Sequence, residues 1–357
     1  LKSDKGIRIL HLYPNLKPAC GITRTIQLIT NGLDSGFSHF VACYEFDENV
    51  KNSIKYDKIC HLLNHKIFVL KILSDIYLIW NFVRNNKIDI LHSYHRHFSI
   101  LSFIISKFTN NKTVISAQSI VHNHRKISYL SKNIIACSEF VKKHLNGYFR
   151  IPDSKISVIY NMVSPQEFHA PKVIDARKSI YTVGFVGRID FTEKGIDTLI
   201  DLIRLKYAVT NNQAIRFMLI GDGVDFGILK TRIDEHKLPI ELIKETTQVR
   251  QYYELFDLFI LPSKIEPFGI VLLEAGMMGI PVIARRTGGI PEIIEDGLSG
   301  FLYETNEELF TKIEMLRFDS QLVQRLTSTL RLRILDKFSS TRILPQYKAY
   351  YGKVMQQ

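Results

Sequence analysis

The sequence predicts an α/β protein of two tandem units, each a parallel sheet flanked by helices. Three observations carry that reading. Short apolar runs alternate with amphipathic stretches, the pattern of parallel strands joined by helical crossovers. A polar stretch from Asn161 to Lys178, holding Pro165 and Pro171, breaks the alternation and reads as a linker. The chain's 357 residues suffice for two domains, each with its own core. The units are placed at residues 1–165 and 176–335.

In the first unit, Ile7 to Leu12 is a strand and Tyr13 to Gly21 a loop with Pro14 and Pro18. Ile22 to Leu33 is a helix, its apolar residues at helical spacing. Strand, glycine-bearing loop and helix open a nucleotide-fold unit, although the G-x-G-x-x-G fingerprint is missing. An apolar run, Phe40 to Cys43, precedes a long helical segment from about Ile67 to Asn85. Strands follow at Ile88–Leu91, Thr113–Ser116, Asn133–Ala136 and Ile156–Tyr160. Between them lie a helix from Phe98 to Phe108 and one from Ser138, its cap, to Leu145.

The second unit restarts with a strand from Tyr181 to Val186, a loop through Lys194 and a helix to about Tyr207. Phe217–Ile220 is a strand that meets the turn Gly221-Asp222-Gly223, and another strand lies near Ile240. Asp257–Leu261 is strand-like and ends at Pro262-Ser263. There Glu266-Pro-Phe-Gly-Ile-Val-Leu-Leu-Glu274 turns sharply into an apolar helix. Gly279 to Ala284 is the next buried strand, and Thr287-Gly-Gly-Ile-Pro291-Glu292 feeds a helix with Pro291 near its first position. Asp296 to Phe301 is a turn, and from Glu307 onward the pattern is helical.

Apolar residues are 46% of the chain and charged residues 23%, which fits a globular protein. The net charge of +12 suits an anionic partner: nucleic acid, an anionic membrane surface or a phosphorylated substrate. Against nucleic acid, the sequence lacks a dense Arg/Lys run interleaved with aromatics. Cys20, Cys43, Cys60 and Cys137 are scattered and read as free thiols in a reducing, cytoplasmic compartment. The polar start runs straight into a strand, so no signal peptide is expected. No transmembrane helix is expected either. The nearest approach, Ile67 to Val83, is broken by Lys71, Ser74 and Asp75; it reads as a core-facing amphipathic helix or as one lying on a membrane.

The Glu266–Glu274 stretch carries the most chemistry. The amides of Phe268, Gly269 and Ile270 fall in the first helical turn, without intrahelical acceptors, at the positive end of the helix dipole. That arrangement suits phosphate. The carboxylates of Glu266 and Glu274 instead suit sugar hydroxyls, at two points along one ligand. Arg188, after the first strand of the second unit, and Lys194, at the start of the next helix, suit a diphosphate.

This ordered series resembles the retaining glycosyltransferases of family 4, which have the GT-B fold. The resemblance is strong over residues 180–303. It is looser over 1–165, through Gly21, Asp89-Ile-Leu-His92, Ala136-Cys-Ser-Glu139 and Val158-Ile-Tyr-Asn161. It implies two Rossmann-like domains facing across a cleft, with residues 340–357 packing back on the first. It implies that Arg188 and Lys194 hold the donor diphosphate and stabilise its departure. Glu266 would bond the transferred sugar, Glu274 the ribose, and the backbone of Phe268, Gly269 and Ile270 both sugar and phosphate. Gly187, Gly221 and Lys244 complete the expected donor site; Ile243-Lys-Glu-Thr246 departs from the family, whose base-contacting loop contains a glycine. No Asp-x-Asp is present, so metal-independent transfer is expected, with no cofactor beyond the nucleotide sugar.

By the same resemblance the first unit binds the acceptor. Gly21 lies in the first glycine loop, and Arg24 sits just inside the next helix, facing an anionic group. In His92-Ser-Tyr-His-Arg-His97, His95 is the first choice for touching the donor sugar, ahead of His97 and His92; His97 is also placed with Arg24 at the acceptor. A zinc site from these histidines, or with His122 and His124, is a weaker alternative. The expected activity is transfer of a hexose from a UDP-sugar, favoured over a GDP-sugar, to a glycan or polyprenyl-linked acceptor. Bacterial surface polysaccharide synthesis, at the inner face of the cell membrane, is the expected setting. The competing readings are a sugar-nucleotide epimerase, a glycan phosphorylase and a basic nucleic-acid-binding protein.

Overall fold

The computed structural model describes residues 6–18, 20–123, 125, 127–168, 180–208, 214–244, 246 and 248–357. The expected linker therefore falls, from residue 169 to 178, outside the described residues. Contacts divide the chain into two units. One comprises Leu1–Asn161 with Ile343–Gln357, and the other Met162–Arg342. The last helix, Ser340–Gln356, starts in the second unit and from Ile343 onward belongs to the first.

The first unit holds β1 (Ile7–Leu12), β2 (Asn15–Leu16), β3 (Phe37–Cys43), β4 (Glu45–Phe46), β5 (Lys58–His61), β6 (Ile90–Ser93), β7 (Lys112–Ala117), β8 (Asn133–Ala136) and β9 (Ile156–Val158). Seven of them form a sheet in the order β5-β3-β1-β6-β7-β8-β9 with every pairing parallel. The two-residue strands β2 and β4 pair separately. The second unit holds β10 (Tyr181–Val186), β11 (Ile215–Ile220), β12 (Ile240–Ile243), β13 (Leu258–Leu261), β14 (Val282–Arg285) and β15 (Phe301–Tyr303). Its sheet runs β12-β11-β10-β13-β14-β15, again parallel throughout.

A parallel sheet covered on both faces needs apolar residues on both sides of each strand. That is why Leu258-Phe-Ile-Leu261 is buried at every position rather than alternating. Both sheets have the doubly wound order, growing outward from the first strand in one direction and then the other. The order reverses between β10 and β13 in the second unit and between β1 and β6 in the first. Chain leaving such adjacent strands diverges to opposite sides, opening a crevice at the carboxyl ends.

Several boundaries differ from expectation. The strand expected at Ile88–Leu91 is displaced to Ile90–Ser93. Ile88 N instead bonds Val83 O, ending the helix Phe68–Asn85, and the Asp89 carboxylate accepts from Arg8 N. His92 is consequently inside the sheet, in register with His11. Lys58–His61 is a strand without an apolar run, because it lies at the sheet edge and pairs only β3. Lys194, expected at a helix start, ends a one-turn helix, Phe191–Lys194.

Candidate active site

The site of the second unit is built where β10, β11 and β13 end. A Cβ on Gly221 would stand 1.8 Å from the Gly187 carbonyl oxygen, and one on Gly223 would stand 2.2 Å from that of Ile189. The turns after β10 and β11 therefore pack backbone on backbone, at a distance only glycine permits. Lys244, after β12, lies 3.6 Å from the Asp222 carboxylate on a largely exposed side chain.

After Gly187-Arg188 the chain forms its single helical turn because Asp190 Oδ1 accepts from Glu193 N at 2.8 Å. Gly195, at φ 65°, then breaks the turn. A Cβ there would meet the Pro262 carbonyl oxygen at 2.2 Å, so this glycine seats the turn against the end of β13. Lys194 Nζ consequently reaches Glu266 Oε2 at 2.7 Å, and Ser263 Oγ donates to the same oxygen at 3.0 Å. Glu266 is 6% exposed. Arg188 is half exposed; its guanidinium pairs with Glu193 and lies 3.6 Å from Asp190.

Gly269, at φ 105°, precedes the helix Ile270–Met277. Phe268 lies before that helix, not in its first turn as expected, because left-handed Gly269 takes the cap position; the Phe268 ring is buried edge-on against Phe338. Its side chain is a core anchor. Thr287-Gly-Gly closes over this turn: Gly289 N donates to Glu266 O at 2.9 Å, and Thr287 Oγ1 to Lys264 O at 3.0 Å. Further along the helix, Glu274 accepts from the Tyr253 hydroxyl at 2.8 Å. Burial first, then the Glu274 charge, holds the Tyr253 phenol well above its ordinary pKa, so it remains a donor.

The residues expected in the first unit do not form one cluster. Gly21 opens the helix Gly21–Gly32 and is not a loop residue; Cys20 takes the preceding cap position. Arg24, in the first turns of that helix, donates to Gln27 Oε1 at 2.8 Å. His92 is fully buried, with Nδ1 2.7 Å from the Tyr351 hydroxyl and Nε2 2.8 Å from Ser116 Oγ. Burial lowers its pKa to about 3, and it belongs to the core. His95 caps the helix Arg96–Lys107, accepting from His97 N. Loss of water around the His95 ring, followed by the charges of His97 and Arg96, lowers its pKa. His97 Nε2 lies 3.1 Å from the buried carboxylate of Asp75, which also accepts from the Tyr44 hydroxyl.

Among the described residues no group of three or more His, Cys, Asp or Glu side chains gathers as a metal site. His124, part of the zinc alternative, lies outside them. The four cysteines are thiols rather than disulfides, and no described helix is long and apolar enough to cross a membrane. Sequence reasoning missed Ser263, Asp190, Glu193, Tyr253 and Asp75. The Asp190-x-x-Glu193 spacing was a readable capping signal; the Tyr253–Glu274 and Asp75–His97 contacts left none.

Comparisons with known proteins follow the same division. Residues 20–167 match the family Glycosyltransferase Family 4, and residues 167–332 match Glycosyl transferases group 1. A solved glycosyltransferase from Rickettsia africae superposes with a TM-score of 0.80, at 21% identity and 99% coverage of both chains. The chain belongs to the GT-B glycosyltransferases of group 1, family 4. An uncharacterized glycosyltransferase of Methanocaldococcus jannaschii is 28% identical to this transferase over 306 residues, 80% of this chain and 81% of the relative. The capsular polysaccharide biosynthesis glycosyltransferase CapM of Staphylococcus aureus is 25% identical over 249 residues, 64% and 63% of the two chains. HepE of Anabaena, solved in complex with UDP-glucose, superposes with a TM-score of 0.83 at 19% identity, covering 97% of this chain and 100% of its own.

Proposed function

We propose that this glycosyltransferase moves a hexose from a nucleoside diphosphate sugar to a hydroxyl of a glycan or lipid-linked glycan, with retention at the anomeric carbon. The carrying observation is the Lys194–Glu266 pair at the switch point of the second sheet. In this reading the bond between the anomeric carbon and the diphosphate oxygen breaks, and a new bond forms to the acceptor oxygen. The acceptor proton passes to the departing phosphate on the same face. Arg188 and Lys194 balance the charge growing on the diphosphate, and the amides of Gly269 and Ile270 add their dipoles. Glu266 holds sugar hydroxyls and favours positive charge at the anomeric carbon; Glu274 takes the ribose. By role, Lys244 is assigned to the base, His95 to the transferred sugar, and Arg24 and His97 to the acceptor. The two cations supply the charge that a metal ion would supply elsewhere, so transfer proceeds in chelator.

UDP is favoured as the nucleotide; the HepE complexes with UDP and UDP-glucose support it, as the likeness to CapM supports a role in surface polysaccharide. Family membership favours transfer over the epimerase, phosphorylase and nucleic-acid readings. Thermal unfolding with UDP, GDP, ADP and CDP in chelator tests the proposal. A ligand at 100 times its Kd adds about 2.7 kcal/mol, a shift of several degrees at roughly 2–4 °C per kcal/mol. A shift with UDP that disappears in Arg188→Ala is expected. No shift with any nucleotide overturns the donor assignment.

A further inference from the structure

The helix Phe68–Asn85 is apolar on two opposite faces. One face is buried, through Ile79, Val83 and the carboxylate of Asp75. Away from it, Leu70, Leu73 and Tyr77 are 50%, 59% and 62% exposed. Steps of three or four residues place Leu70, Leu73 and Tyr77 on one line along the helix and extend it to Arg84 near its end, while the exposed Lys66 lies two residues before the helix begins. A surface helix ordinarily turns polar groups to water on that side. Here an apolar stripe with a cation at each end faces outward. From His61 to Arg84 the sole acidic residue is Asp75, which is fully buried.

We infer that this stripe is a docking surface for an anionic phospholipid bilayer, with the helix lying in the interface. Apolar side chains would enter the boundary between headgroups and acyl chains while Lys66 and Arg84 meet lipid phosphates. The charge pattern argues against a second copy of the chain. An antiparallel pairing of two such helices sets Lys66 against Arg84, and a parallel one sets each cation against itself, with no exposed carboxylate to offset either. The purpose of the surface rests on the transferase reading; its geometry does not. Asp75, on the inner face of the helix, holds His97, so a lipid-linked acceptor would be presented at the loop already assigned to it.

The chain's single tryptophan, Trp80, lies beside the stripe, partly buried, with the Arg84 guanidinium 4.8 Å from its ring centroid. It makes the test specific to this helix. Vesicles of phosphatidylcholine alone, or mixed with phosphatidylglycerol, are prepared with and without brominated acyl chains. Binding to the anionic vesicles with quenching of Trp80 emission is expected. The double variant Leu70→Glu/Leu73→Glu, checked for an unchanged melting profile, should bind at least about tenfold more weakly. Binding without quenching, or binding that the double variant keeps, places the contact elsewhere and overturns the inference. So does no binding, or a dimer in solution that the double variant dissolves. The nucleotide-induced melting shift, measured without vesicles, reports separately on the donor site.

Discussion

Lys194 Nζ lies 2.7 Å from Glu266 Oε2, joining two residues 72 positions apart in the chain. The contact is protected: the lysine side chain is 19% exposed and the glutamate 9%. A buried ion pair contributes little net stability when intact, yet is costly to break from one side. A catalytic reading of Glu266 thus carries a structural consequence.

Glu266→Ala should abolish transfer, and it should also destabilise the second unit. Removing one partner of a buried pair costs about 3–5 kcal/mol, and the partial exposure of Lys194 puts this case at the lower end. Glu266→Gln keeps an acceptor for Lys194 and Ser263 and should cost about half as much. Melting temperature and product formation, measured together, separate the two effects. Full activity in the alanine variant removes Glu266 from the chemistry.

Gly288→Ala should be among the most damaging single-methyl changes in the second unit. Gly288 sits at φ 57°, and a Cβ there would lie 1.9 Å from the Glu266 carbonyl oxygen. Backbone strain and overpacking together cost about 2–4 kcal/mol, and the displaced carbonyl moves Glu266 itself. A lowered Tm with loss of nucleotide-dependent transfer is the expected result; wild-type behaviour in both would disprove the packing argument.

Tyr253→Phe removes the hydrogen bond to Glu274 at 2.8 Å and leaves the carboxylate near a buried ring. A loss of about 1.5–3 kcal/mol is expected for a bond to a charged group. If Glu274 holds the ribose, Kd for UDP rises several-fold as its orientation loosens, and calorimetric titration measures that. Unchanged UDP affinity would separate Tyr253 from the donor site.

Acid should destabilise the first unit through its buried histidines. His11 bonds Tyr94 and His39 at 3.0 Å each, and His92 bonds Tyr351 and Ser116. Burial lowers all three, joined by repulsion from neighbouring basic groups at His11 and His39; His39 falls to about 4 and His92 to about 3. Unfolded, each titrates near 6.5. Below that pH the unfolded chain takes up protons that the folded one refuses. Stability is therefore full above pH 6.5 and falls as pH drops toward the folded values, by up to about 1.4 kcal/mol per pH unit for each group. Urea unfolding between pH 7 and 4 measures the slope; a flat profile would contradict it.

Much of this was legible in order along the chain. The strand at Asp257–Leu261, the breaker Pro262-Ser263 and the apolar helix after Gly269 announce a strand-turn-helix by composition alone. Ser138 was readable as a cap and is one, accepting from Val141 N at 3.1 Å. The histidines were not legible. Three in six residues look alike on paper, and a displacement of β6 by two residues sent His92 into the core. That displacement depends on Asp89 accepting from Arg8 N, a contact spanning 81 residues.

By itself the sequence determined the class of fold, the tandem arrangement and the ordered motifs of a glycosyltransferase, because hydrophobic period, glycine and proline act on their near neighbours. Only the tertiary structure decided which charges meet. Lys194 reaches Glu266 because Gly195 lets one backbone touch another at Pro262, and Tyr253 reaches Glu274 from a separate helix. It also decided that one face of the helix Phe68–Asn85 stays uncovered. Periodicity says that a face is apolar; what lies against it depends on strands and helices placed by contacts distant in the chain.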